Sequence, residues 1–118
     1  MESALGEGGA AALDPEAWYR LGLLRHASGD GAAAIDAYQR ALALRPGHAE
    51  AHTNLAVLLR SMGRRAEALD HLRAAVSAAP GLAPAHAALA DLLRESGDVG
   101  GAEEEAAKAR DLGGGVHP

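Results

Sequence analysis

His48 and His52 stand four residues apart, a spacing that puts two imidazoles on one helix face, where they could ligate a metal ion. A metal centre would need a third ligand, and the chain has neither a cysteine nor a nearby carboxylate pair to supply it. Gly29-Asp30-Gly31-Ala32-Ala33-Ala34 formally fits a dinucleotide-binding fingerprint, but a helical pattern precedes it where that chemistry needs a strand. Glu103, Glu104 and Glu105 offer acid/base groups, yet consecutive helical residues point in different directions and form a solvated face. Ser28, Ser61 and Ser77 lack a nucleophile elbow and an ordered base. These residues predict no catalysis, no metal and no cofactor. The remaining chemistry is recognition. His26, Arg60 and Arg94 recur at a constant interval of 34, and the two guanidiniums of that column could grip carboxylates bidentately.

That interval runs through the chain three times. Trp18, Leu21 and Gly22 align with His52, Leu55 and Ala56, and with His86, Leu89 and Ala90. Gly29, Gly63 and Gly97 share the spacing, as do Ala34, Ala68 and Ala102, then Ala41, Ala75 and Ala109, while Pro46 and Pro80 close the first two copies. Such self-similarity marks a stacked helical array rather than a closed globule. Of the 118 residues, 48% are hydrophobic but only 3% aromatic, so alanine and leucine must build the core, which suits closely packed helices. A net charge of −5 opposes binding to nucleic acid or to an anionic membrane surface. The first residues carry no basic, apolar signal segment, and no stretch approaches a membrane span, so the expected location is cytoplasmic.

Residues 1–14 read as a flexible leader. Asp14-Pro15-Glu16 is a strong helix start: N-cap, proline at the first helical position, and an acid in the first turn. A helix from there stops near Gly29; Asp30 caps a second, which ends before Pro46-Gly47. The plan repeats from about Ala49 and again from about Pro84, giving repeats of about 15–48, 49–82 and 83–116, six antiparallel helices in all. The last helix carries Ala106 where the first two copies have Tyr38 and Leu72, and it reads as a polar C-terminal cap, with Gly100 and Gly101 weakening its first turn. Residues 113–118 read as a flexible tail.

The pattern of aromatic, Leu-Gly, Gly turn, small residues and closing Pro resembles the tetratricopeptide repeat, at Trp18, Leu21, Gly22, Gly29, Ala34, Tyr38, Ala41 and Pro46. The second copy matches at Leu55, Ala56, Gly63, Ala68, Ala75 and Pro80, with His52 in place of the aromatic. The third matches at Leu89, Ala90, Gly97, Ala102 and Ala109 but lacks the closing Pro. The resemblance implies an all-α, right-handed α-solenoid of three helix-turn-helix repeats. Small residues at the crossings allow close approach of paired helices.

In the family, the first helix of each pair lines a concave groove that receives a peptide or a partner's helix. Carried over by position, this implies Tyr19, Leu23 and His26 from the first copy. It implies Thr53, Asn54, Val57, Arg60 and Ser61 from the second, and Ala87, Ala88, Asp91, Arg94 and Glu95 from the third. Ala51-His52-Thr53-Asn54-Leu55-Ala56 is similar to repeats of the O-linked N-acetylglucosamine transferase array, where an asparagine at this place contacts peptide backbone; Arg20 and Ala88 replace it in the other copies. The family's carboxylate clamp for chaperone tails is matched only at Asn54, against Tyr19, Leu23, Pro84 and Ala88 elsewhere. The expected function is a protein-interaction scaffold whose partner carries a peptide or helix, with an acidic segment among the candidates. The alternatives are a recruiting or regulatory module of a larger enzyme, such as a glycosyltransferase, and weak self-association through the N-terminal pair.

Overall fold

The computed structural model of the chain describes residues 14–114, so residues 1–13 of the expected leader and 115–118 of the expected tail lie outside them. Six helices follow one another: α1 (Pro15–Ala27), α2 (Gly31–Leu44), α3 (Ala49–Ser61), α4 (Arg65–Ala78), α5 (Ala83–Glu95) and α6 (Val99–Gly114). Among the described residues there is no strand. Helix α6 continues through Gly114 and so takes in the first two residues of the expected tail. Contacts divide the chain into two compact units that meet at Pro46 and Gly47.

One device turns each pair. Gly29, Gly63 and Gly97 have φ of 84°, 80° and 92°, left-handed values that cost glycine nothing. Each N–H returns to the carbonyl three residues back, and the next residue's N–H reaches five back: Gly29 to His26 and Asp30 to Arg25, Gly63 to Arg60 and Arg64 to Leu59, Gly97 to Arg94 and Asp98 to Leu93. This double closure satisfies the last carbonyls of α1, α3 and α5 and reverses the chain within three residues.

The starts are less uniform. Asp14 accepts from the Ala17 N–H at 2.8 Å, Asp30 from Ala33 at 3.1 Å and Asp98 from Gly101 at 2.9 Å. Arg64 cannot accept, and its guanidinium instead holds Glu67 in the first turn of α4 at 2.7 and 3.0 Å. At α3 the cap is His48, whose Nδ1 accepts from the Ala51 N–H at 3.1 Å while the ring is buried.

In the unit formed by α1 and α2, Ala34, Tyr38 and Ala41 of α2 are fully buried, whereas α1 buries only Gly22. Leu24 of the same helix is 67% exposed. The Tyr38 ring lies over Gly22, and Tyr19 packs beside it with ring centroids 6.1 Å apart. Burial first, and then Tyr19, push the Tyr38 phenol up to about 12. Arg40 lies 5.0 Å over the Trp18 ring, within cation–π range.

In the unit formed by α3–α6, Leu55, Leu59, Leu72, Leu89 and Leu93 supply the bulk of the core, with Ala56, Ala68, Ala90 and Ala102 at the close approaches. Ala49, Ala75 and Ala85 bring the start of α3, the end of α4 and the start of α5 together, with Val76, Ala79 and Leu82 packed around them. Helix α5 packs on both α3 and α4, and α6 packs on α5. Glu103 and Glu104 of α6 are exposed, as are Val99 and Leu112.

Candidate partner-binding surface

Helices α3 and α5 lie against each other and carry the charged residues singled out from sequence. Arg60 on α3 donates to Glu95 on α5, from Nε at 2.9 Å and also from its terminal nitrogen. Its other terminal nitrogen lies 3.9 Å from Asp91. Arg94, one turn along α5, holds the second Asp91 oxygen at 3.2 Å, and Arg65 of α4 reaches Glu95 at 3.2 Å. Three guanidiniums and two carboxylates thus form one network over α3, α4 and α5, which leaves an excess of one positive charge.

The hydrogen bond from Arg60 holds the Glu95 carboxyl below its usual range, and the bond from Arg65 adds to this. All five side chains are at least 30% exposed, so solvent screens each pair. Val57, one turn before Arg60, adds an apolar neighbour that is 40% exposed.

The other positions read from sequence divide. Thr53 is a correction: it is buried and its hydroxyl donates to the Ala49 carbonyl at 2.8 Å, so it faces the helix interior and presents nothing to a partner. Asn54 is half-buried and its amide donates to the Glu50 carbonyl at 3.0 Å, which orients the side chain along α3. In the first unit, Leu23 is exposed, Tyr19 is half-buried against Tyr38, and His26 is half-buried in the last turn of α1.

The histidines that suggested metal chemistry serve other ends. His48 is spent as a helix cap, and His52 Nδ1 lies 2.9 Å from His71 Nδ1 on α4. Among the described residues no three His, Cys, Asp or Glu side chains converge as a metal site. His86 bridges α6 and the loop after α4, with Nδ1 2.6 Å from Glu105 and Nε2 2.7 Å from the Pro80 carbonyl. Burial pushes the Glu105 carboxyl up, but hydrogen bonds from His86 and Lys108 outweigh it and set it below its usual range. Sequence reading missed His71 and the part played by Glu105. The signal was present, since His52–His71 and His86–Glu105 are both 19 residues apart and one repeat period from each other.

A helical pair built on a Gly turn and repeated at 34 residues defines the class as a helical-repeat protein. The chain belongs to the tetratricopeptide repeat family: two models of that family match it, over residues 14–80 and 53–116. Among solved structures it is similar to MamA, at 30% identity and a TM-score of 0.78 over 84% of this chain and 58% of that one. It is likewise similar to a MamA RS-1 ArsTM double mutant, at 31% identity and a TM-score of 0.74 over 86% and 57%. The chain therefore spans less than two thirds of the MamA chains it matches. A third likeness is to the first tetratricopeptide repeat domain of Spaghetti (RPAP3) bound to the HSP90 peptide SRMEEVD, at a TM-score of 0.81 over 86% of this chain and 80% of that one. Its 17% identity carries the fold alone. No curated protein matches the chain by sequence. No helix among the described residues is long and apolar enough to cross a membrane.

Proposed function

We propose that the chain is a non-catalytic interaction module and that the α3–α5 face of the second unit holds a short peptide or helix of a partner protein. The observation that carries this reading is the solvated network of Arg60, Arg94, Asp91 and Glu95 beside the exposed Val57. An acidic segment satisfies it best. Its carboxylates take the places of Asp91 and Glu95 on Arg60 and Arg94, and an apolar side chain covers Val57. Asn54 adds an amide that can bond main chain. Tyr19, Leu23 and His26 are the corresponding positions of the first unit. A small face of this kind supports affinity on the order of micromolar, about −8 kcal/mol. The test is capture of partners by wild type and by an Arg60→Ala/Arg94→Ala variant at two salt concentrations. Loss of the captured set in the variant, and weakening with salt in wild type, support the reading; an unchanged set overturns it.

A second reading rests on a separate observation. Leu24 stands 67% exposed on α1, next to a shallow depression lined by Asp14, Glu16, Ala17, Arg20 and Leu21. Such an apolar spot on the first pair suits weak self-association. Sedimentation at two concentrations decides it, because a mass that does not change with concentration removes it.

A further inference from the structure

Two side-chain pairs occupy the same place in successive repeats of the second unit, yet their geometries accommodate different numbers of protons. His52 on α3 and His71 on α4 meet at Nδ1 with 2.9 Å between the nitrogens and 5.2 Å between the ring centroids, so the rings meet head on. A hydrogen bond between two imidazole nitrogens needs one donor and one acceptor, and therefore a single proton between them. When both rings become cationic, each Nδ1 carries a proton, and two donors and two positive charges stand face to face. The equivalent pair one period later is His86 with Glu105, where both imidazole nitrogens face oxygen acceptors, Glu105 and the Pro80 carbonyl. There the doubly protonated ring makes both bonds.

We propose that the second unit is a pH-responsive module in which acidification unlocks α3 from α4 at His52–His71 while His86–Glu105 keeps α6 fastened to α5. The charged groups that act on the His71 ring come from α3 and α4. His52 comes from α3; Glu67 and Asp70 flank His71 on α4 itself. Helix α5 meets α4 through Glu95 on Arg65 at one end and through His86 on the Pro80 carbonyl at the other, and neither bonds the His71 ring. Glu67 is held by Arg64, so it is a weak counter-charge for a second proton. Burial first, and then the charge of His52, set the His71 imidazole below its ordinary value against the smaller pull of Asp70 and Glu67.

The sign follows from that direction. The unfolded chain binds the His71 proton more readily than the folded one, so the contribution of this pair is complete above the ordinary imidazole value and is lost as the pH falls below it. Because α3 carries Asn54, Val57 and Arg60, the same protonation alters the mobility of that face.

The experiment combines ring titration by NMR with amide exchange, corrected for intrinsic rates, at about pH 7.5 and about pH 5.5. In wild type, the His71 ring is expected to titrate below the ordinary imidazole range. Protection of α3 and α4 is expected to fall about tenfold relative to α5 and α6. In His71→Gln that selective loss disappears. A His71 titration in the ordinary imidazole range overturns the proposal, as does an unchanged selective loss in His71→Gln. The ring titration uses wild type alone, so it decides the matter even where the variant fails to fold.

Discussion

Gly22 lies directly beneath the ring of Tyr38, where a β-carbon would stand 2.5 Å from Cδ1 and Cε1. The same two positions hold Ala56 with Leu72 in the second repeat and Ala90 with Ala106 in the third. The crossing thus tolerates a β-carbon on one helix where the other gives up its ring. Gly22→Ala is expected to cost about 1–3 kcal/mol through overpacking. Gly22→Ala/Tyr38→Leu is expected to cost less than the sum of the two single changes, since each relieves the other. Thermal melts of the four proteins measure this coupling.

At the other end of the chain two adjacent glycines are expected to behave differently. A β-carbon on Gly100 meets nothing within 4 Å, so Gly100→Ala should stabilise α6 by about 0.5–1 kcal/mol through chain entropy and helix propensity. A β-carbon on Gly101 stands 2.5 Å from Asp98 Oδ2, the carboxylate that caps the helix through the Gly101 N–H. Gly101→Ala should therefore gain less, because it pushes the cap aside. Denaturant midpoints of the two variants, compared side by side, test the difference.

The Glu105 carboxyl gives a prediction in pH. Its folded value lies below the ordinary carboxylate range, so its bonds to His86 and Lys108 stabilise the fold above that range and are lost as the pH falls through it. Replacing Glu105 with Gln should lower stability near neutrality and flatten the acid limb of a melting curve against pH. An acid limb identical to wild type would remove Glu105 from the fastening of α6.

What could be read from sequence follows from how local the cause is. The turns at Gly29, Gly63 and Gly97 and the caps at Asp14 and Asp30 depend on a few consecutive residues, and they are plain in the chain. The cap at His48 was not, because an imidazole seldom takes that place and its four-residue spacing from His52 suggested a metal. Thr53 was placed on the binding face by position in the repeat, but its hydroxyl turns back onto the Ala49 carbonyl. Arg60 was expected to be available to grip a partner's carboxylate. It instead bonds Glu95, 35 residues away, a partner that only the packing of α5 on α3 supplies.

The central claim concerns the face that Val57, Arg60, Asp91 and Arg94 build, and isotope-edited NMR of the described chain reads it directly. Titration with a short acidic peptide as probe should shift the amide and side-chain signals of these four residues together, with the effect fading as salt is raised. Shifts confined to the basic groups of α6, Lys108 and Arg110, or spread evenly over every exposed arginine, would contradict it.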